Sequence, residues 1–573
     1  MEKSTPVNGG EALLELFNIQ EIDFVFCSPL SVWAPLWEAL AKQKEIGKTE
    51  TPRYINCRHE ILAVGLASGY YKATGRPQVV LLPTGVGVLN GSMAIRGAYQ
   101  ERVPMIVLSP DSIGFGEIPD FDPGSEWPSL LGDLGGPVRI SESFVKWAKE
   151  VKNPRDLISD FCRACYFAEM VPRGPTLLSV PFDILMDTVP FTLPSKLKTH
   201  PLVAPADTLK EIARILVQSE NPIIISEHAC RTREEVNVLT KLAELLGTPV
   251  FEFFLPTYKN FSRNHPLHGK GPVEEILKDA DCVLVAGSNA PWHPPLIDFQ
   301  RDCNVIVMEE DPLRPRAPYW GYKTDYCVAG DLGSNLIELY RHAKNEINNA
   351  PQILKKIEQQ SKRWKTYNDK KRKSWLKETK QAQAEETIHA SWLFRTLSEL
   401  LPNGTIIVDE IIAQGNLMMQ HLFQNESFSH YRGMAGGLGT GIPTALGIKL
   451  AEPEKLVVCL IGDGSFSYDP IPASLGLSQQ YNLPILIVIC NNQGFVSQTW
   501  NIQKYFPQGL TLKTGNFLGD VIEPTPDYSK IALAFDGYGE RVENPGKLKS
   551  AVERGVAAVK KGKLAVVDVI LNP

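Results

Sequence analysis

Two short polar motifs, each placed directly after an apolar run, carry the residues best suited to chemistry. One run, residues 456–461, ends at a Gly-Asp-Gly tripeptide centred on Asp463, and the next run, residues 485–490, ends at an Asn-Asn pair that includes Asn492. Short runs rich in Val and Ile and bounded by turn residues are typical of buried strands in a parallel sheet. The intervening residues are long enough for a crossover helix. Asp463 and Asn492 are therefore predicted just past the carboxyl ends of two strands, where open α/β sheets bind ligands.

The donors in these motifs suit a hard divalent cation. The carboxylate of Asp463, the side-chain carbonyl of Asn492 and a free backbone carbonyl, which we assign to Gly494, are the oxygen ligands that such an ion prefers. Only one of the three is charged, so most of the neutralising charge must come from the ligand, which favours a metal-bound diphosphate. Amides at a helix N-terminus can hold its oxygens. The candidates for that role are Gly462, Gly464 and Ser465.

Each motif alone is an ordinary turn or loop, but the pair is specific. Gly-Asp-Gly followed at this distance by Asn-Asn resembles the thiamine-diphosphate signature. The separation of Asp463 and Asn492 is a little longer than usual for that signature, which points to a small insertion near 469–470.

The rest of the chain must supply the elements that position these residues. With 573 residues the chain is too long for one hydrophobic core, and several domains are expected. Strand and helix patterns alternate in three blocks, and a charged, helix-prone segment precedes the last block. The sequence therefore predicts an α/β protein with parallel sheets.

Composition excludes some classes of partner. The chain is 43% hydrophobic and 22% charged, with a net charge of −6, which argues against nucleic acid as a main partner. No apolar run approaches the length of a membrane span, and the polar N-terminal stretch lacks signal-peptide anatomy. We therefore expect a cytoplasmic protein without a membrane partner.

Three αβ blocks, the paired motifs in the last block and an Arg-His-Glu segment ending at Glu60 in the first resemble the thiamine-diphosphate-dependent 2-oxoacid decarboxylase and carboligase family. That family includes benzoylformate decarboxylase and acetolactate synthase. The resemblance implies four regions: a pyrimidine-binding domain at 1–190, a middle domain at 200–345, a charged helical linker at 346–385, and a diphosphate- and metal-binding domain at 386–573.

The resemblance also implies roles for individual cofactor-binding residues. Glu60 matches the essential glutamate, whose carboxyl group hydrogen-bonds the pyrimidine N1′ and promotes deprotonation of the thiazolium C2. Leu438, preceded by Gly437, matches the apolar residue that props the cofactor in its bent form, and Thr84 is a further candidate contact. The Gly-rich segment at 436–441 superficially suggests a dinucleotide site, but it lacks the required spacing and the acidic residue.

Three positions bear on the substrate. Ser31 falls where benzoylformate decarboxylase carries a serine that contacts the substrate carboxylate, and His293 falls near that enzyme's middle-domain histidine. Gln498 lies where pyruvate decarboxylase has a catalytic glutamate, and Pro83 replaces the first-block histidine of benzoylformate decarboxylase. A histidine between prolines is also common as a plain loop residue, so the acid–base scheme stays open.

The resulting expectation is an enzyme that uses thiamine diphosphate and Mg2+ to decarboxylate a 2-oxo acid to an aldehyde and CO2, with carboligation as a side outcome. The alternative is a carboligase resembling acetolactate synthase or benzaldehyde lyase. FAD in the middle block is compatible with the family but is not expected. A homodimer or homotetramer with active sites at the subunit interface is implied. A non-catalytic homologue is the competing class, but Glu60, Asp463 and Asn492 are all present.

Overall fold

The computed structural model describes the following residues: 6–47, 52–111, 122, 124, 128, 135–194, 200–252, 257–293, 297, 299, 302–317, 321–423, 429–433 and 436–572. Within them lie three separate parallel sheets, each flanked by helices, and these confirm the predicted α/β class with three consecutive αβ blocks. In the described ranges, no helix combines the length and the apolar character that crossing a bilayer requires.

The first block contains a six-stranded sheet in the order β3-β2-β4-β5-β7-β6, with every neighbouring pair parallel. The first and last strands of the block, β1 and β8, pair with each other in a separate two-stranded antiparallel ribbon. The strands are β1 (Pro6–Asn8), β2 (Phe24–Cys27), β3 (Arg53–Asn56), β4 (Val79–Leu81), β5 (Ile106–Ser109), β6 (Trp147–Glu150), β7 (Thr176–Ser179) and β8 (Thr188–Pro190). The helices are α1 (Gly9–Ile19), α2 (Ala34–Glu45), α3 (Glu60–Thr74), α4 (Gly85–Gln100), α5 (Gly136–Ser141), α6 (Leu157–Glu169) and α7 (Phe182–Met186).

The middle block contains a five-stranded parallel sheet in the order β10-β9-β11-β12-β13. Its central strands are buried along their whole length, because helices cover both faces of such a sheet. The strands are β9 (Pro222–Ser226), β10 (Val250–Phe251), β11 (Cys282–Ala286), β12 (Asn304–Glu309) and β13 (Tyr326–Ala329). The helices are α8 (Ala206–Gln218), α9 (Arg233–Leu246), α10 (Val273–Leu277) and α11 (Leu332–Asn349).

The charged connection before the last block forms one long helix, α12 (Leu354–Ala382). Near its start, Lys356 donates from Nζ to the backbone carbonyls of Val217, Gln218 and Ser219 at the C-terminal end of α8. A cation at a helix C-terminus is favourable because the last carbonyls carry partial negative charge. This contact attaches α12 to the middle block.

The last block contains a second six-stranded parallel sheet, in the order β15-β14-β16-β17-β19-β18. Its strands are β14 (Ile406–Glu410), β15 (His430–Arg432), β16 (Val457–Gly462), β17 (Leu486–Asn491), β18 (Tyr538–Val542) and β19 (Ala565–Ile570). The helices are α13 (Ala390–Leu400), α14 (Gly415–His421), α15 (Gly441–Ala451), α16 (Asp463–Tyr468), α17 (Ile471–Gln480), α18 (Val496–Tyr505), α19 (Leu510–Thr514) and α20 (Leu548–Lys560).

Contacts divide the chain into two compact units that do not follow the order of the blocks. The first unit combines residues 1–200 with 434–453 and 469–483, and the second combines 201–433, 454–468 and 484–573. Helices α15 and α17, which belong to the last block by sequence, therefore lie in the first unit.

Helix α3 packs closely on α15 within the first unit. Gly65 and Gly69 on α3 and Gly447 on α15 lie at the crossing, and a Cβ at any of the three would collide with the opposite helix. Glycine is needed here because the two backbones approach too closely for any side chain. The crossing fixes the position of α3, which begins at Glu60.

Candidate active site

The two polar motifs at the end of β16 and β17 meet at the carboxyl edge of the third sheet. Strands β16 and β17 are parallel neighbours, with Gly462 opposite Cys490, so Asp463 and Asn492 follow directly on adjacent strands. Both side chains are buried, with relative exposures of 1% and 7%. The two predicted strands are present, each shifted by one residue toward the C-terminus.

The Asp463 carboxylate is in a costly environment for a negative charge. Burial raises its pKa to about 6, and the backbone N–H groups of Gly464, Gly494 and Asn492 act in the opposite direction. Its Oδ2 atom is buried and has no hydrogen-bond partner in the part of the chain that the structure describes. A buried, orphaned carboxylate oxygen beside the loop that contains Asn492 and Gly494 fits a hard cation, which would supply the missing partner.

The loop after β17 is held tightly from outside. The N–H of Gly494 donates to Asn492 Oδ1 at 3.3 Å, the N–H of Phe495 donates to the Asp520 carbonyl at 2.6 Å, and the N–H of Ile522 donates to the Gln493 carbonyl at 3.0 Å. A Cβ at position 494 would collide with the Asp520 backbone. Glycine is therefore required at 494 so that the two segments can pair.

Gly464 is required for a different reason. A Cβ there would lie 2.6 Å from the ring of Phe495, so the first turn of α16 can contact this ring only without a side chain. Ser465 follows in the same turn and is buried. At Gly462 a Cβ would meet nothing closer than Ser465 Oγ, at 3.9 Å. The turn that would hold the diphosphate is therefore closely packed at Gly464, against Phe495, and loosely packed at Gly462.

A cavity of about 620 Å3 lies beside this loop. It is lined by residues 492–494, Val496, residues 520–525 and Arg541. Two of the three predicted metal ligands, Asn492 and Gly494, therefore border the cavity, and Asp463 does not.

Glu60 occupies the first turn of α3 and belongs to the first compact unit. Its Oε1 accepts a hydrogen bond from Ser28 Oγ at 2.9 Å, and its Oε2 accepts one from the side-chain amide of Asn90 on α4. Gly91 on α4 lies against the stem of Glu60, since a Cβ at 91 would lie 3.4 Å from Glu60 Cβ, in ordinary van der Waals contact. The carboxylate is half-buried and is directed by two donors from separate elements.

Sequence reasoning missed Ser28 and Asn90. Ser28 follows β2 directly and is thus a polar residue at the carboxyl end of a strand, the type of position that marked Asp463. Asn90 lies one turn into α4 and carries no such local signal. Only the approach of α4 to α3 shows that it reaches Glu60.

The other predicted cofactor contacts in the first compact unit are Thr84, Gly437 and Leu438. Thr84 precedes α4, and its buried Oγ1 has no hydrogen-bond partner among the described residues. A Cβ at Gly437 would collide with Met93 on α4, so this backbone lies directly against that helix, and Leu438 next to it is half-buried. The buried ring of Pro83 packs against Gly87.

The three predicted substrate contacts are all exposed. Ser31 opens a short 3-10 helix, Ser31–Trp33, in the first unit, and Gln498 lies on α18 in the second. His293 lies in the loop after β11, next to the buried Trp292. Their roles at the substrate remain predictions.

Three buried glutamates lie at the carboxyl edge of the middle sheet. Glu227 follows β9, Glu309 is the last residue of β12, and Glu310 follows it. Glu309 pairs with His228 at 2.8 Å and with Arg314 at 3.3 Å, and burial raises the pKa of Glu227 to about 8.

Three comparisons with known proteins bear on these features. Family models match residues 7–113 (thiamine pyrophosphate enzyme, N-terminal TPP binding domain), 209–339 (central domain) and 413–569 (C-terminal TPP binding domain).

Curated relatives match over nearly the full length. The acetolactate synthase large subunit of Haemophilus influenzae is 25% identical, covering 98% of this chain and 94% of the relative. The 2-hydroxyacyl-CoA lyase 2 of Mus musculus is 23% identical, covering 100% and 91%.

Among solved structures, benzoylformate decarboxylase from Polynucleobacter necessarius matches with a TM-score of 0.77 at 20% identity, covering 99% of this chain and 98% of the other. The 4-hydroxybenzoylformate decarboxylase of Rhodococcus jostii matches with a TM-score of 0.76, also at 20% identity, covering 99% of both chains. At this identity the structural matches establish the shared fold.

Proposed function

Because this chain belongs to the thiamine pyrophosphate enzymes of the decarboxylase and acetolactate synthase family, we propose that it decarboxylates a 2-oxo acid without oxidation and releases an aldehyde. The observation that supports the proposal is the local geometry of the residues predicted to handle the cofactor. Glu60 is held by Ser28 and Asn90, and Asp463 has an orphaned carboxylate oxygen beside Asn492. A non-catalytic homologue would have no need to keep the buried charge of Asp463.

The residues of this chain have separable roles in the proposal. Thiamine diphosphate, when bound, would supply a nucleophilic carbon and an electron sink for the loss of CO2. Asp463, Asn492 and the Gly494 carbonyl would hold Mg2+, and the amides of the first turn of α16 with Ser465 would hold the diphosphate. Glu60 holds a proton at the pyrimidine N1′. Its two hydrogen bonds restrict the carboxyl group to one orientation, as proton transfer requires.

A second candidate function is carboligation, as in acetolactate synthase. Curated relatives that match this chain over nearly its whole length include acetolactate synthases, at 24–25% identity, and a lyase at 23%. Decarboxylation and carboligation share the loss of CO2 from the 2-oxo acid, and they differ in whether a proton or a second carbonyl captures the resulting carbanion.

A panel of 2-oxo acids, scored separately for CO2, aldehyde and 2-hydroxyketone, tests the proposal. The decarboxylase outcome is equal amounts of CO2 and aldehyde from at least one acid. The carboligase outcome is CO2 with a 2-hydroxyketone and little aldehyde. Glu60→Gln is the matched control and should lose every product, and CO2 release from none of the acids would overturn the proposal.

His293 is proposed to donate the proton that releases the aldehyde, because Pro83 replaces the other family histidine. In a single turnover, His293→Ala should lower aldehyde release more than CO2 release, since loss of CO2 needs no external proton. His200→Ala, another exposed histidine, is the control and should change neither. Equal loss of both products, or loss of neither, would remove His293 from the mechanism.

The active sites are proposed to form between subunits of a homodimer or homotetramer. Glu60 and Asp463 belong to different compact units, and the apolar side chains of Val86 and Leu89, next to Asn90, are 61% and 50% exposed. Co-expressed Glu60→Ala and Asp463→Ala chains should regain activity, because each mixed dimer has one intact site and about a quarter of all sites are then intact. A fully active monomer in sedimentation would contradict the shared site.

A further inference from the structure

Asp568 is a buried carboxylate that the proposed mechanism does not use. It lies in β19, whose other residues are apolar, and it is fully buried. A buried acid in a central strand is costly unless hydrogen bonds and charge compensate it. Arg541 on the neighbouring strand β18 is its register partner and stabilises its charge.

One oxygen of Asp568 reaches the Asn-Asn motif. The side-chain amide of Asn491 donates to Asp568 Oδ1 at 2.9 Å, although the two residues are 77 positions apart. Because Nδ2 of Asn491 faces the carboxylate, its Oδ1 faces the other way and accepts the N–H of Gln493 at 3.1 Å. That bond holds Gln493 in a left-handed conformation, with φ of 64°. The left-handed conformation of Gln493 sets the positions of its neighbours Asn492 and Gly494, the proposed metal ligands.

The other oxygen of Asp568 reaches the Gly-Asp-Gly motif. The N–H of Tyr528 donates to Asp568 Oδ2 at 3.3 Å. The Tyr528 ring packs edge-on against Phe466 of α16, with the ring centroids 5.2 Å apart. Its hydroxyl hydrogen-bonds Ser467, which donates to the Asp463 carbonyl at 3.1 Å. The helix that begins at Asp463 is therefore braced from the same carboxylate.

We propose that Asp568 is a positioning residue that sets the geometry of the metal and diphosphate site through both motifs at once. The proposal rests on the proposed function, because it assigns Asp568 to that same site. Asp568 touches no ligand itself. It orients Asn491 on one side and Tyr528 on the other, and so fixes the distance between the Asn492 loop and α16.

Asp568→Asn is the direct test, because it keeps the shape of the side chain. Both oxygens of Asp568 accept hydrogen bonds, so the NH2 group of the new amide must point either at the Asn491 amide or at the Tyr528 N–H. In both orientations two donors face each other and one hydrogen bond is lost. Mg2+ and thiamine diphosphate binding is measured by calorimetry without substrate, so the readout does not depend on turnover. The dissociation constants should rise by about 10- to 100-fold, as loss of a partner behind a metal ligand usually produces. Asp160→Asn, a buried carboxylate in the first compact unit, is the matched control and should leave binding unchanged.

A paired exchange separates positioning from general damage to the fold. Combining Asn491→Asp with Asp568→Asn should restore all three hydrogen bonds. The new carboxylate at 491 accepts from the N–H of Gln493 and from the new amide at 568, and the oxygen of that amide accepts from the N–H of Tyr528. Binding in the pair should recover to within about threefold of the wild type, so that the two changes are strongly non-additive. If Asp568→Asn does not fold, Asn491→Ala cuts the same link and should weaken binding to a similar extent.

The outcomes distinguish this inference from the proposed function. Wild-type affinity in Asp568→Asn, or a pair no better than the single variant, would overturn the positioning role while leaving the function intact. A wild-type protein that binds no thiamine diphosphate would instead overturn the proposed function.

Discussion

The two halves of the proposed cofactor site are built in opposite ways. The half around Asp463 and Asn492 is buried at the edge of a six-stranded sheet and is braced by Asp568 and by the segment around Asp520. The half around Glu60 is more open, because Glu60 is only half-buried and is directed by two side-chain hydrogen bonds.

The difference follows from the two ends of the cofactor that each half is proposed to hold. A diphosphate with its metal is highly charged, so its ligands must be placed before it arrives, and a rigid, buried loop does this. The pyrimidine is a flat heteroaromatic ring without formal charge, and the proposed protein contact to it is one carboxyl group at N1′, which needs fewer fixed ligands. The charged half should therefore govern binding, and the open half should govern reaction.

The largest effect is expected from the charged half. Asp463→Ala should abolish measurable binding of Mg2+ and thiamine diphosphate together, because the diphosphate then loses its bridge to the protein. Calorimetry on the purified protein measures both. Asp207→Ala, whose carboxylate is 97% exposed, is the control and should bind as the wild type does. Retained binding of both in Asp463→Ala would show that the metal lies elsewhere.

The open half should give the reverse pattern. Glu60→Gln should leave cofactor binding nearly unchanged but slow hydrogen–deuterium exchange at the cofactor C2 by about 10²–10⁴-fold, the usual range for a lost proton-transfer group. Ser28→Ala removes only one of the two hydrogen bonds to Glu60 and should slow exchange less. Exchange at the wild-type rate in Glu60→Gln would end the assignment of Glu60.

The two halves should also differ in pH dependence. The pKa of Asp463 is about 6 without a metal, and Mg2+ binds only the carboxylate, so binding must release a proton below that pH. Mg2+ affinity should be flat above pH about 6 and fall about tenfold for each pH unit below it. Titrations between pH 5 and about 8 measure this. Glu60→Gln should keep the same profile, whereas an affinity that does not change through this range would contradict the proposed role of Asp463.

The smallest effect concerns the packing behind the charged half. Gly464→Ala places a Cβ against the Phe495 ring and should lower the free energy of unfolding of the cofactor-free protein by about 1–3 kcal/mol. In Gly462→Ala, two residues earlier, the new Cβ meets only Ser465 Oγ at 3.9 Å, and the change should lower the free energy of unfolding by less than about 1 kcal/mol. Denaturant unfolding measures both, and equal losses would mean that Phe495 moves aside freely.

Much of the site was predictable because its signals are local. The strands that end at Asp463 and before Asn492 are apolar runs bounded by turn residues, and the structure contains both within one residue of the predicted bounds. The position of Glu60 at the start of a helix also follows from neighbouring residues. The exposed side chains of Ser31, His293 and Gln498 show the limit of this reasoning, since a loop position alone does not say what a side chain contacts.

The sequence by itself determined the α/β class, the three sheets and the motifs at their edges, because each depends on residues close together in the chain. Only the tertiary structure decided which groups hold those motifs in place. Asn90 on α4 donates a hydrogen bond to Glu60 on α3, and Asp568 accepts one from Asn491, 77 positions away in the sequence. It also decided that α15 and α17 pack with the first block, where glycines on α3 and α15 let the backbones touch. Such contacts form between segments whose separation in sequence carries no periodic signal, so only the folded chain brings them together.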